Sequence, residues 1–381
     1  MKMNAIHEDA PRIALLLDTL GNNGASIMLW RLAVGITQRG AGVDLLSRDV
    51  ADAYRNKPPG ADADGPRLIG LRSTHALWSV PSLASYLHRE RPAAVLASDK
   101  LRTNLALLRA RRLAGTPTRL GLRVSIQQSR ELQLCSSAKR RRRLQRMRKV
   151  YPGFDPLIAV SRGVADDMAA IAGIDRERIQ VLPNPVITRE FLQQAAEPLS
   201  DPWFAPGSPP VILGVGRLEQ QKEFPTLLRA FALLRRQRPC RLLILGEGSR
   251  RGELEALAQR LGISDDCRLP GHAPNPYPFM AQASVFVVSS AWEGIVNVLT
   301  EALALGTPAV ATDCPSGPRE ILRDGELGTL VPVGDDAAMA DAIQATLEDP
   351  PDCEYLRAGV SGYTLNASVD AYMCALGIDI R

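Results

Sequence analysis

Three observations predict an α/β protein of two parallel-sheet domains. A pattern of strand, glycine turn and helix runs from residue 12 to 182 and restarts at 211. Between the two runs, residues 197–210 hold five prolines and little periodicity, and 381 residues exceed one ordinary hydrophobic core. The loops rich in glycine, charge or hydroxyl follow strand carboxyl ends, where open parallel sheets hold ligands. The expected division is 1–190 for the first domain, 191–210 for a linker, 211–358 for the second domain and 359–381 for a closing segment.

Composition narrows the class. Hydrophobic residues make up 45% and charged residues 23%, the balance of a soluble globular chain. Residues 1–12 contain His7, Glu8, Asp9 and Pro11, so no signal peptide is expected, and no apolar run approaches a membrane span. The six cysteines are scattered without C-x-x-C spacing, which argues against a zinc site or a disulfide framework and fits a reducing cytoplasm. The net charge of +5 divides unevenly: residues 1–150 hold 27 Lys and Arg against 11 Asp and Glu, so an anionic partner is expected on the first half.

The first strand is expected at 12–18. Gly21-Asn22-Asn23-Gly24-Ala25 turns the chain into a helix at 27–39, and a strand at 43–47 completes one βαβ unit. The turn is not G-x-G-x-x-G; its glycines suit simple turning as well as close approach to a phosphate or sugar. Residues 56–66 are a Pro- and Gly-rich loop. Its Asp62-Ala63-Asp64 has the form of a metal-binding D-x-D, but no strand precedes it to aim two carboxylates at a cation, so a solvated loop is expected. Helices at 82–91, 102–114 and 161–172 alternate with strands at 93–97, 119–126, 157–160 and 179–182.

Lys139, Arg140, Arg141, Arg142, Arg143, Arg146, Arg148 and Lys149 place eight cations in eleven residues. Aromatics are not interleaved, as a platform for single-stranded nucleic acid requires. An anionic membrane surface is the expected partner, at roughly 1 kcal/mol per cation near a bilayer. A solvated helix face has the same composition.

In the second half, strands are expected at 211–215, 242–245, 285–289 and 308–311. Gly216 and Arg217 follow the first, with Lys222 before a helix that carries Pro225 in its first turn. Two cations and a helix N-terminus can answer the charge of a diphosphate without a metal, although two surface cations at a helix start look alike. Gly246, Glu247 and Gly248 follow the second strand. The third leads into Trp292-Glu293-Gly294-Ile295-Val296-Asn297-Val298-Leu299-Thr300-Glu301. With Asn297 as N-cap, the following N–H groups point outward to phosphate oxygens. Glu301, one turn inside, then suits the two hydroxyls of a ribose, and Glu293 a sugar hydroxyl; helix-dipole complementation and a solvated loop are the alternatives.

In this order, Gly216-Arg217 with Lys222, Gly246-Glu247-Gly248, Glu293 with Glu301, and Ser316-Gly317-Pro318 with Glu320 resemble the family 4 retaining glycosyltransferases of GT-B fold. Val160-Ser161-Arg162-Gly163-Val164 and Val181-Leu182-Pro183-Asn184-Pro185 agree with it. The resemblance implies two Rossmann-like domains facing a central cleft, the first for the acceptor and the second for a nucleotide sugar, with the closing helix returning to the first. It implies that Arg217 and Lys222 hold the donor diphosphate, Glu293 meets the sugar and Glu301 the ribose. Gly294, Ile295, Val296 and Asn297 would present backbone groups. Gly216 belongs to the donor loop, Gly246, Glu247, Gly271 and His272 would border the base, and Gly24 would approach from the other domain.

No metal or cofactor is implied. Attack would come from the front face, with the leaving phosphate oxygen taking the acceptor's proton. The chain departs from the family in two places. It has no His between His88 and His272, so Ser125, Gln127 or Gln128 stands where relatives carry a pocket His, and Ile295 replaces a usual Phe. The expected function is transfer from a nucleotide sugar, UDP-linked, to a membrane-associated glycolipid or polysaccharide, lipopolysaccharide assembly included, by a cytoplasmic protein peripheral at the inner face of the cell membrane. An epimerase or phosphorylase of the same fold, or a basic nucleic-acid-binding protein, are the alternatives.

Overall fold

The structure, a computed structural model, describes residues 11–17, 24–48, 65–71, 76–133 and 135–379. Asp62-Ala63-Asp64 and Gly21-Asn22-Asn23 lie outside the described residues. The chain divides into two units, 1–185 with 365–381, and 186–364.

The first unit is built on a parallel sheet of β1 (Arg12–Leu16), β2 (Gly42–Ser47), β3 (Arg67–Gly70), β4 (Ala94–Ser98), β5 (Arg119–Val124), β6 (Leu157–Ala159) and β7 (Ile179–Val181), in the order β3-β2-β1-β4-β5-β6-β7. Residues 13–16 of β1 and 94–97 of β4 are apolar and buried, as in a parallel sheet covered on both faces. Order reverses between β1 and β4, the switch point at which doubly wound sheets open a crevice. The helix Leu365–Leu376 contributes Val369, Tyr372, Met373 and Leu376 to this unit's core. Its Tyr372 hydroxyl accepts from Arg123 Nε at 3.0 Å, and Arg123 Nη2 donates to Asn184 Oδ1 at 2.6 Å. Asp44, fully buried on β2, accepts from Arg12, Arg67 and Tyr86.

The second unit has β8 (Val211–Val215), β9 (Arg241–Leu245), β10 (Cys267–Gly271), β11 (Val285–Val288), β12 (Ala309–Thr312) and β13 (Thr329–Val331), all parallel, in the order β10-β9-β8-β11-β12-β13. Its switch point lies between β8 and β11. The unit begins before the stretch expected as a linker. Thr188 caps the helix Arg189–Ala195 by accepting from Phe191 N, Phe191 and Trp203 enter the core, and Arg268 stacks 3.9 Å above the Trp203 ring. Proline density there reflects a chain pressed onto the unit's surface rather than a free tether.

Candidate active site

Strands β8 and β11 are neighbours at the switch point, so the loops after them meet. Lys222 and Glu293, 71 residues apart, form an ion pair of 2.7 Å between Nζ and Oε1, with side chains 17% and 7% exposed. Glu293 is also held by Ser290 Oγ, which donates to Oε1 at 2.7 Å, and by Gln221 Nε2, which donates to Oε2 at 3.1 Å. Arg217 joins the cluster by donating from Nη2 to Gln221 Oε1 at 3.3 Å. The backbone locks the loops as well, because Ala291 N donates to Gln221 O and Ser289 Oγ to Lys222 O. Lys222 is thereby fixed at a 3-10 turn, Gln220–Lys222, just before the helix Phe224–Arg235.

Glycines allow these loops to nest. A Cβ on Gly246, where φ is +151°, would stand 1.9 Å from Gly216 O, and one on Gly248 would stand 2.4 Å from Leu218 O. Gly246 N donates to Gly271 O and Leu218 N to Glu247 O, tying the loops after β8, β9 and β10 together. A Cβ on Gly271 would strike Glu247 Oε1 at 2.5 Å. Glu247 itself pairs with Arg251 at 2.6 Å, which, ahead of weaker help from His272, holds its carboxyl below the usual carboxylate range.

The helix expected to begin after an Asn297 cap spans Asn297–Ala304, with Val296 at the N-cap and no capping side chain. Asn297 is the first helical residue, so the expectation of an Asn cap is corrected by one position. The physical reason lies next door: Gly317 packs against Ile295 and Val296, and Ser316 Oγ donates to Gly294 O at 2.7 Å, fixing the entry to the helix from outside. Glu301 lies four residues inside and is 6% exposed.

The structure thus brings Gly216, Arg217, Lys222, Gly246, Glu247, Gly271, His272, Glu293 and Gly294 into one set of strand-end loops, continuous through Ile295, Val296 and Asn297 with the helix bearing Glu301. Gly24 opens the helix Gly24–Gln38 of the first unit, and its expected part rests on the resemblance alone. Sequence reasoning missed Gln221 and Ser290, which hold the pair together. The available signal was position: Ser290 lies two residues after β11 and three before Glu293, and Gln221 directly precedes Lys222. Cys314, 3% exposed, also borders this cluster; burial, then the Glu293 carboxylate, pushes its thiol up to about 12. Among the described residues no group of three His, Cys, Asp or Glu stands together as a metal cage.

The model of "Glycosyl transferases group 1" matches residues 197–360, and that of the "Glycosyl transferase 4-like domain" matches 23–185. The chain belongs to the family 4 glycosyltransferases of GT-B fold. The chain is 35% identical over 202 residues to the N-acetylgalactosamine-N,N'-diacetylbacillosaminyl-diphospho-undecaprenol 4-alpha-N-acetylgalactosaminyltransferase of Campylobacter jejuni, covering 52% of this chain and 53% of that one. It is 40% identical over 199 residues to the lipopolysaccharide core biosynthesis glycosyltransferase LpsE of Rhizobium meliloti, covering 52% and 56%. The chain spans about half the length of these curated relatives. Among solved structures, a glycosyltransferase from Rickettsia africae shares the fold at TM-score 0.80 and 14% identity over 97% of this chain and 98% of that one. The Anabaena protein HepE, in complex with UDP, does so at TM-score 0.76 and 18% identity over 96% and 99%.

Proposed function

We propose that the protein is a retaining, metal-independent glycosyltransferase that moves a sugar from a UDP-linked donor to a membrane-associated glycolipid or polysaccharide. The observation that carries this reading is the Lys222–Glu293 pair at the β8/β11 switch point, with Arg217 attached through Gln221. A cation held by a carboxylate, beside a second cation and at the start of a helix, matches what a departing diphosphate requires.

In this mechanism Lys222 and Arg217 take the donor phosphates, and the charge that develops as the glycosidic bond breaks is stabilised there. Glu293 keeps Lys222 oriented and accepts from a sugar hydroxyl. Glu301 accepts from the ribose, and the loops holding Gly246, Glu247, Gly271 and His272 border the base. The leaving phosphate oxygen takes the acceptor's proton, so no side-chain base is needed and the anomeric configuration is kept. The lipid-linked and lipopolysaccharide substrates in the relatives' names, and the UDP bound to a protein of the same fold, support the donor and acceptor classes. The segment 139–149 would bring the protein to an anionic membrane surface, with the site facing the cytoplasm.

The test is a panel of UDP- and GDP-sugars screened by ligand-observed NMR, followed by product analysis on a lipid-linked acceptor. A new α- or β-glycoside of the donor's own configuration is expected. No binding to any donor, or release of an epimerised sugar or a sugar phosphate, would overturn the reading.

A further inference from the structure

The first unit contains a cavity of about 840 Å³ at the carboxyl ends of β4 and β5, beside that sheet's own switch point. One side is the start of the helix Leu101–Ala114, which has Lys100 at its N-cap and no capping side chain. The partial positive charge of that helix end therefore faces the space that Lys100 and Arg102 also line. The opposite wall is the helix Ser137–Val150. Its Lys139, Arg142, Arg143 and Arg146 fall at i, i+3, i+4 and i+7, one face of a helix, and all four line the cavity.

Among the described lining residues only Asp99 and Glu131 oppose this charge, and both are engaged. Asp99 Oδ2 accepts from Ser125 Oγ at 3.4 Å and Gln128 Nε2 at 3.3 Å, and Glu131 pairs with Arg143 at 2.8 Å. Lys100, Arg102, Lys139, Arg142 and Arg146 have no ion-pair partner among the described residues. Five cations sharing one concavity repel one another, and an anion entering it removes that repulsion. Among the described residues no aromatic side chain lines the space, so its described walls offer phosphate chemistry rather than a stacking surface for a base.

We infer that this cavity binds a phosphate or diphosphate group carried by the acceptor. The inference rests on the glycosyl-transfer reading for the word acceptor, while the anion site itself does not. The eight-cation run is thereby divided: Arg140, Arg141, Arg148 and Lys149 are absent from the lining and remain for a flat anionic surface, whereas the other four face a space suited to a discrete group.

The test uses the full chain and inorganic pyrophosphate, titrated by calorimetry into the wild type, R102Q/R142Q/R146Q and R217Q/K222Q. The three arginines of the first variant are exposed and make no hydrogen bond among the described residues, and an unchanged melting curve checks that it is intact. The expected result is that R217Q/K222Q retains a pyrophosphate site and that the triple variant weakens this site about tenfold or more, with a flatter salt dependence. Loss of all pyrophosphate binding in R217Q/K222Q, or unchanged binding in the triple variant, overturns the inference. Vesicles of phosphatidylcholine with and without phosphatidylglycerol separate the sources: a triple variant that loses anionic vesicles but keeps pyrophosphate makes the arginines a membrane contact and also overturns it. Failure of the donor screen with pyrophosphate binding intact would strike the transfer reading and leave the anion site standing.

Discussion

Glu293→Gln separates the two duties assigned to the central pair. Glutamine keeps the shape and one acceptor oxygen but removes the charge that faces Lys222 Nζ at 2.7 Å. A phosphate oxygen that bonds Lys222 would come within about 5 Å of the carboxylate, where two unit charges repel by roughly 3 kcal/mol at an effective dielectric near 20. The shared ammonium and partial solvent access reduce this to about 1 kcal/mol, which corresponds to UDP binding about fivefold more tightly in the variant. Transfer should move the other way. Loss of a charged acceptor for the sugar hydroxyl is worth about 3 kcal/mol, or roughly a hundredfold in turnover. Calorimetry with UDP, paired with single-turnover transfer, reads both. Equal or weaker UDP binding in Glu293→Gln would refute the idea that the carboxylate competes with the donor for Lys222.

Three further outcomes follow from the packing. Gly246→Ala drives a Cβ to 1.9 Å from Gly216 O and should destabilise the second unit by about 3 kcal/mol or more, read as a lower denaturation midpoint; an unchanged midpoint would mean the loops are not nested as described. Tyr372→Phe removes the acceptor for Arg123 Nε, both residues being under 4% exposed, and should cost about 1–3 kcal/mol in urea unfolding. Burial pushes the thiols of Cys240 to about 11 and of Cys267 and Cys314 to about 12, from an ordinary 9.0. The folded chain keeps these protons longer than the unfolded one, so the stability they contribute is complete below pH 9 and lost as pH rises toward 12. At pH 8, exposed Cys353 and Cys374 should react readily with a disulfide reagent while these three react only on unfolding; fast labelling of any of the three would contradict their burial.

Much of the fold was legible because buried parallel strands are apolar throughout. Strands β1, β4, β8 and β11 stand out from their flanks on that account. The sequence was silent on β3, β10 and β13, and all three are sheet edges; the fourth edge is β7. Edge strands here are short and mixed, as in Cys267-Arg268-Leu269-Pro270-Gly271, where proline and arginine hide the periodicity. Around the site, Arg217, Lys222 and Glu293 were readable as charged residues at strand ends. Their mutual distance was not, since it depends on which strands are neighbours, and β8 and β11 are separated in sequence by two other strands. The polybasic run was visible as composition, but its division into a face lining a cavity and a remainder appears only once helix 137–150 is set against the turn after β4.

The boundaries of the two units make them unequal as pieces of polypeptide. The second, 186–364, is one continuous stretch, and its first and last residues lie side by side: Val186 N and Ile187 N both donate to Tyr363 O at 3.0 Å, and Ile187 bridges Thr364. It is, in effect, a cassette inserted near the end of the other unit's gene segment, with entry and exit at one seam. Such a piece can be excised, or its ends joined and reopened elsewhere, without exposing its core. The first unit cannot be obtained by simple truncation. Stopping at Pro185 strips away Val369, Tyr372, Met373 and Leu376, uncovers the apolar face against which they pack, and leaves Arg123 without its hydroxyl partner.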